Sequence, residues 1–444
     1  MKKRLFIQTF GCQMNVHDSE QMAALMGQHG YETVADAADA DLILVNTCSI
    51  REKAAQKIMS QLGRYRSIKR SRPETIIGVG GCLAQHLGED LVTRNPHVDL
   101  VFGTHNLHRL PEMVIRIEQS GEKVIETSLA PVVPSLGIRV APRENAISAF
   151  VTIMQGCNNY CAYCVVPFLR GPETSRPGED ILNEIKMLVD GGIREVTLLG
   201  QNVNSYGHTL SPRTSFPELL RGVGRIDGLE RIRFTTSHPK DLSDDLVRCF
   251  GEIRSLCEHI HLPAQSGSDR ILRAMNRGYT SEEYRNRVKC LREQCPEIAV
   301  TSDMIVGFPG ETNEDFQRTL DLMETIRFDN LFSFKYSERK GTAAVHFPDP
   351  VPETEKAERL ETLQARQEGH TLEKNRDLEG RLVEVLVEGR SKNSPDDMSG
   401  RTRTNRIVNF TASADTVRKT VPVRIERAFL HSLRGKIEHL GGVC

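Results

Sequence analysis

The sequence predicts a multidomain α/β protein that ends in a small β module. Three observations carry this. Short apolar strands alternate with helical stretches from residue 5 to about 118, the alternation resumes near residue 149 with six further strands, and from about 379 it gives way to short strands separated by Gly, Asn, Ser and Pro. βαβα order implies a parallel sheet covered by helices, and short alternating strands with turn residues imply a small antiparallel β-barrel. A chain of 444 residues is also too long for one ordinary core and implies two or three domains.

In the first stretch Leu5 to Phe10 reads as a strand followed by a helix over Ser19 to His29, and Leu42 to Thr47 as a strand followed by Arg51 to Lys69. Thr75 to Gly80 and Val98 to Phe102 each precede a further helix. Open α/β sheets bind ligands at the carboxyl ends of their strands. Cys12, Cys48 and Cys82 follow the first, second and third strands, so right-handed crossovers would bring three thiols distant in sequence to one sheet edge. Periodicity alone leaves three unrelated buried cysteines equally open. Arg64, Arg66, Lys69, Arg70 and Arg72 form a basic helix surface, read first as a solvated face and second as phosphate contacts.

Residues 121–145 carry Ser, Gly, mixed charges and Pro131, Pro134 and Pro142, and read as a connection. The expected division is therefore 1–120, a linker over 121–145, 146–376 and 377–444. In the second region strands begin near Ala149, Glu195, Arg231, His259, Ala299 and Asn330. Helices over Asp180 to Val189, Leu242 to Phe250, Glu282 to Glu293 and Asn313 to Ile326 lie between them. Six β/α units are too few for a full eight-stranded barrel. Polar motifs stand at the strand ends: Gln201-Asn202-Val203-Asn204, Thr236-Ser237-His238-Pro239, Pro263-Ala264-Gln265-Ser266-Gly267-Ser268 and Gly307-Phe308-Pro309-Gly310-Glu311. Each alone fits a turn or helix cap, but repeated amides and hydroxyls at strand after strand favour a cavity lining. His259 and His261 alternate on one strand and face the same side. Residues 352–378 form a charged helix with Ala357, Leu360 and Leu363 as its packing stripe. Cys249, Cys257, Cys290 and Cys295 lack ligand spacing and read as packing residues.

Cys157-Asn158-Asn159-Tyr160-Cys161-Ala162-Tyr163-Cys164 follows the apolar strand Ala149 to Met154 and places three thiols close together in a Gly/Asn-bearing loop. That spacing is a metal site. A structural zinc takes four protein ligands, usually two separated Cys-x-x-Cys pairs, and this chain has no second pair. Three thiolates can instead hold three irons of a 4Fe-4S cube and leave the fourth open. A zinc completed by a distant His, or three packed cysteines, are the alternatives. This motif resembles that of the radical S-adenosylmethionine superfamily, Cys-x3-Cys-x-aromatic-Cys, with Tyr163 as the aromatic residue. The resemblance implies an open, partial (β/α)6 barrel, reductive cleavage of S-adenosylmethionine to a 5'-deoxyadenosyl radical, and a cavity lined by Tyr163, Gln201, Asn202, Ser237, His238, Gln265 and Ser266. The superfamily's Gly-Gly-Glu motif after the second strand is replaced by Leu199-Gly200-Gln201-Asn202.

Thr9-Phe10-Gly11-Cys12-Gln13-Met14-Asn15, Asn46-Thr47-Cys48-Ser49-Ile50-Arg51-Glu52 and Gly80-Gly81-Cys82-Leu83-Ala84-Gln85 look like the three cysteine motifs of the methylthiotransferase family, which hold an auxiliary 4Fe-4S cluster. From Glu379 to Cys444 there are twelve Lys/Arg and eight Asp/Glu, and this basic β end resembles a TRAM domain associated with RNA modification. Within the family the chain is most similar to the MiaB type. The resemblance implies two 4Fe-4S clusters, held by Cys12, Cys48 and Cys82 and by Cys157, Cys161 and Cys164, and two S-adenosylmethionine molecules. One methylates a cluster sulfide, and the other yields the radical that lets a methylthio group replace the carbon 2 hydrogen of isopentenyladenosine 37 in the tRNA anticodon loop. It also implies an electron donor and a sulfur or cluster-repair donor as partners. Methylthiolation of a ribosomal-protein aspartate, and a non-catalytic iron-sulfur RNA-binding protein, are the alternatives.

Net charge is -1 with a pI near 6.9, so any basic surface must be local. Eleven cysteines without a secretory signal point to metal or redox chemistry in a reducing compartment. No run approaches transmembrane length, and a cytoplasmic enzyme is expected.

Overall fold

The computed structural model describes residues 2–48, 52–130, 146–392, 394 and 396–438. Pro131, Pro134 and Pro142 of the expected connection lie outside the described residues, as do Ser49, Ile50 and Arg51 of the second cysteine motif and Cys444. The first region is a six-stranded parallel sheet: β1 (Lys3–Thr9), β2 (Tyr31–Thr33), β3 (Leu42–Thr47), β4 (Ile76–Gly81), β5 (Leu100–Phe102) and β6 (Val124–Glu126), in the order β2-β1-β3-β4-β5-β6. Helices α1 (Gln13–Gln28), α2 (Glu52–Ser71), α3 (Cys82–Leu87), α4 (Glu89–Arg94) and α5 (Leu110–Ser120) cover it. The central β3 and β4 are buried at every residue, as strands packed on both faces must be. Two strands exceed the sequence reading. β2 and β6 are three residues each, too short for a periodic signal, and β6 lies inside the stretch expected to be connection.

The second region has six parallel strands that begin where the sequence places them. These are β7 (Ser148–Thr152), β10 (Glu195–Leu199), β11 (Arg231–Thr235), β12 (His259–His261), β13 (Ala299–Val306) and β14 (Asn330–Lys335). A short antiparallel pair, β8 (Met154–Gln155) and β9 (Thr174–Ser175), follows β7. Two three-stranded sheets, β7-β10-β11 and β12-β13-β14, meet where Ile232 bridges Leu256, which makes an open six-stranded half-barrel. Its helices are α6 (Val166–Arg170), α7 (Gly178–Asp190), α8 (Phe216–Val223), α9 (Asp244–Glu252), α10 (Asp269–Ala274), α11 (Ser281–Gln294), α12 (Asn313–Ile326) and α13 (Glu353–Arg376). Cys249, Cys257 and Cys295 are buried, whereas Cys290, expected to pack, is exposed because it falls on the outer face of α11.

The packing stripe of α13 differs from expectation. Leu363 is buried and Leu360 partly so, but Ala357 is exposed, and the row that docks also contains Arg359, Gln367 and His370. Arg359 drives this register: its guanidinium meets the buried Glu311 carboxylate at 2.7 Å, and a buried charge must be paired.

The last region is a closed five-stranded barrel of β15 (Leu382–Arg390), β16 (Asp397–Thr402), β17 (Ile407–Thr411), β18 (Thr420–Ala428) and β19 (Leu433–Ile437). Its pairs are antiparallel except β17 with β19, which close it in parallel. This barrel covers the amino end of the half-barrel. Arg231 and Arg233, at the start of β11, donate to the carbonyls of Arg401, Thr402 and Arg403, and Arg403 returns a forked contact to Glu258 with bonds to the Arg254 and Leu256 carbonyls. Among the described residues no helix is long and apolar enough to cross a membrane.

Arg359→Ala would leave the Glu311 carboxylate buried and unpaired. It is expected to lower stability by about 3–5 kcal/mol, read from denaturant unfolding.

Candidate active site

The loop from Cys157 to Cys164 is pinned on every side. Gly156 takes φ +80, and a Cβ there would lie 2.0 Å from the Pro172 carbonyl oxygen, so only glycine permits this turn. The Cys157 amide donates to the Gly171 carbonyl, the Ala162 amide to Met275, the Ala344 amide to Ala162 and the Cys164 amide to Cys161. Asn276 reaches back to the Asn159 and Tyr160 carbonyls. Cys157 and Cys161 are buried, and the guanidinium of buried Arg277 lies 3.4 Å from the Cys161 sulfur and 3.5 Å from the Tyr163 hydroxyl. Burial, then the neighbouring Cys161 sulfur, pushes the Cys164 thiol up to about 12. Such thiols stay protonated at neutral pH until a metal displaces the protons.

In the first region β1, β3 and β4 are neighbours, and Cys12, Cys48 and Cys82 follow their carboxyl ends. The crossover direction reverses between β1 and β3, the point where open α/β sheets form their ligand crevice. Gly11 takes φ +141, and a Cβ on it would stand 2.7 Å from the Cys48 Cβ, so the Cys12 turn closes directly on Cys48. Two fully buried amides lock this corner. Asn15 donates to the Asn46 side-chain oxygen and the Thr47 carbonyl, and Asn46 donates to the Asn15 carbonyl and the Ser19 hydroxyl. Cys48 and Cys82 are buried and Cys12 is exposed.

The two thiol sets share one short helix. Cys164 stands two residues before α6, and Val165 and Leu169 pack on Cys82. The Thr104 hydroxyl donates to the Leu169 carbonyl and His105 bonds the Arg170 carbonyl, fastening α6 to the first region. Among the described residues no three His, Cys, Asp or Glu side chains converge as one metal ion requires.

Beside Cys164 a cavity of about 1050 Å³ opens at the carboxyl ends of β12, β13 and β14, lined among others by Tyr163, Gln265, Asp303, Lys335 and Tyr336. Two buried polar atoms without a protein partner, Gln265 Oε1 and the Tyr336 hydroxyl, belong to its lining, and Gln155 Nε2, Glu173 Oε1, Asn202 Oδ1, Asn204 Oδ1, Ser237 Oγ and His238 Nε2 are likewise unpartnered in the segments that follow β7, β10 and β11. Buried groups of this kind are normally bonded, and such a concentration marks a place for a polar ligand.

Three family models match the chain: an uncharacterized protein family, UPF0004, over residues 4–103, the radical SAM superfamily over 151–323, and the TRAM domain over 376–437. The tRNA-2-methylthio-N(6)-dimethylallyladenosine synthase of Syntrophus aciditrophicus (strain SB) is 60% identical over 436 residues, 98% of this chain and 95% of that one. The chain belongs to the tRNA-2-methylthio-N(6)-dimethylallyladenosine synthase family. A relative of the same name from Carboxydothermus hydrogenoformans is 48% identical over 446 residues, 100% of this chain and 99% of that one. Among solved structures the radical S-adenosylmethionine methyltransferase TsrM from Kitasatospora setae, with cobalamin and a 4Fe-4S cluster bound, shares the fold at TM-score 0.57 and 14% identity, covering 78% of this chain and 74% of that one. OxsB, a cobalamin-dependent S-adenosylmethionine radical enzyme, aligns at TM-score 0.52 over 77% of this chain and 54% of that one. This synthase-family chain is thus a radical SAM enzyme, with S-adenosylmethionine and iron-sulfur chemistry as its cofactor set.

The side chains expected to line the cofactor cavity of this synthase-family enzyme separate into groups. Tyr163 and Gln265 line the cavity. Asn202, Ser237 and His238 keep an unpartnered buried atom, while Asn202 also donates to Asp241 at 2.7 Å. Gln201 accepts from the Gly156 amide and so holds the thiol loop, and Ser266 is engaged by Thr319 and Ser268. Sequence reasoning missed Arg277, Glu173 and Tyr336. Glu173, three residues beyond the end of α6 and bonded by Ser205, could have been found by its closeness to the cysteine loop. Arg277 had no local signal. His259 lines a separate chamber of about 570 Å³ at the barrel's amino end, beside the Glu195 and Arg233 pair.

Burial, then the Arg277 and Lys240 charges, lowers His238 to about 2. The unfolded chain binds a proton near 6.5 that the fold refuses, so this group stabilises the fold above that pH and the contribution is lost as pH falls towards 2. The expected loss is about 2 kcal/mol by pH 5. It is checked by comparing the pH dependence of the melting temperature of the wild type with that of His238→Asn, which should be flatter between pH 7 and 5.

Proposed function

We propose that the protein adds a methylthio group to carbon 2 of N(6)-isopentenyladenosine at position 37 of tRNA, using two 4Fe-4S clusters and two molecules of S-adenosylmethionine. What supports this reading is α6, which begins two residues after Cys164 and packs through Leu169 on Cys82 of the first region. Cys157, Cys161 and Cys164 would hold one cluster, and Cys12, Cys48 and Cys82 the other, each leaving one iron without a cysteine. A purine carbon 2 hydrogen is not acidic enough for side-chain bases. The bound cofactors supply the radical that removes it and the sulfur that takes its place.

The protein's own groups bind, orient and exclude water. The unpartnered atoms of Asn202, Ser237, His238 and Gln265 are suited to the polar edges of S-adenosylmethionine, with Tyr163 beside them. The Arg277 guanidinium, never deprotonated, offsets negative charge at Cys161. The target base must leave its stack to enter the cavity, which costs little in an anticodon loop whose bases are unpaired. The β15 to β19 barrel, matched as a TRAM domain, would grip the RNA. The names of the curated relatives and this RNA-associated module favour tRNA over the ribosomal-protein aspartate. An electron donor and a sulfur or cluster-repair donor complete the set of partners, in the cytoplasm.

The test incubates anaerobically reconstituted protein with isopentenylated tRNA and, separately, with ribosomal protein, and follows the mass gain of one methylthio group. The gain is expected in the tRNA nucleoside; a gain only in protein would overturn the reading. Cys161→Ala is expected to abolish cleavage of S-adenosylmethionine. Cys48→Ala is expected to retain cleavage while forming no methylthiolated product, measured by chromatography of 5'-deoxyadenosine and of tRNA nucleosides.

A further inference from the structure

Arg170 is the last residue of α6 and belongs to the radical region, yet its side chain leaves that region. It is 5% exposed, and its Nη2 lies 3.0 Å from the Asp18 carboxylate on α1 of the first region. Leu169, the residue before it, packs on Cys82, and the buried guanidinium is close enough to act on the Cys82 and Cys12 sulfurs through its charge. A buried cation demands compensation. Asp18 supplies one negative charge, and a second would reside at the neighbouring sulfurs once the thiols ligate metal.

We propose that Arg170 is a positioning residue for the first-region sulfur site, stabilising the negative charge collected at Cys82 and Cys12. It thereby makes the properties of that site depend on docking of the radical region. This rests on the reading that Cys12, Cys48 and Cys82 hold a cluster. Positive charge beside cluster sulfurs favours the reduced state, so the guanidinium raises the reduction potential of the neighbouring site. An ordinary interdomain ion pair between Arg170 and Asp18 would have no such effect. The carboxylate separates the two cases, since removing it withdraws a negative charge from beside the sulfurs and must act in the opposite sense.

The test uses the full-length chain carrying Cys157→Ala, Cys161→Ala and Cys164→Ala, so that only the first-region site is loaded. Iron is counted, and the potential is read by electron paramagnetic resonance during a redox titration. Arg170→Gln is expected to lower the reduced fraction at a fixed poise about tenfold, a downward shift of about 59 mV for one electron. Asp18→Asn is expected to shift the potential upward, and Arg170→Lys to recover part of the loss. Potentials unchanged in Arg170→Gln, or shifted in the same direction by Arg170→Gln and Asp18→Asn, would overturn the proposal. Should Arg170→Gln fail to retain iron, Asp18→Asn and Arg170→Lys still decide it by the sign of their shifts. Absence of iron from the triple-alanine parent would instead overturn the cluster reading, and this inference with it.

Discussion

Buried thiolates repel one another and lose hydration, so several of them cannot gather in one place unless metal and protein cations neutralise them. This constraint organises the centre of the molecule. The five residues of α6 stand between the two sulfur sets, with Cys164 entering at one end and Arg170 leaving at the other. Arg277 faces one set and Arg170 the other. The glycines that let the chain turn into each set, Gly156 and Gly11, sit where any side chain would collide with backbone or with a partner cysteine. Loop closure, sheet order and guanidinium placement all serve the same separation.

Much of this was readable in the sequence. Strand periodicity placed the starts of all six strands of the half-barrel to within a residue, because each is a short run rich in apolar residues that a polar turn ends. Placement of Cys12, Cys48 and Cys82 behind their strands left packed cysteines as open as a shared site, and it was the resemblance of the surrounding motifs that favoured the site; the sheet order makes the three strands neighbours. What could not be read lies in contacts between distant segments. Arg170 and Arg277 carry no periodic or spacing signal, and their importance exists only through Asp18, Cys82 and Cys161. The Ala357 stripe failed for a related reason: hydropathy ranks alanine above arginine, whereas the buried Glu311 on another element requires Arg359 to face inward.

The basic character of the carboxyl-terminal barrel also changes meaning in three dimensions. Arg403 and Arg406 pair with Glu258 and Asp329 of the half-barrel, Arg418 donates to the Gly192 carbonyl, and Arg424 and Arg434 pair within their own barrel. Much of the apparent positive excess therefore fixes the barrel in place. The same holds in the first region, where Lys69 and Arg72 of the basic helix meet Asp99 and Asp41. Counting charges along a chain overstates the electrostatic surface left for a polyanion.

The attachment of that barrel to the amino end of the strands sets a dimension for the whole enzyme. The cysteine loop lies beyond the opposite end, and the longest intervening strand, β13, has eight residues, a rise of about 26 Å. The molecule thus works as a caliper. Its two jaws, the carboxyl-terminal barrel and the cysteine loop, are held apart by the strands themselves, so anything that touched both at once would have to be at least that long.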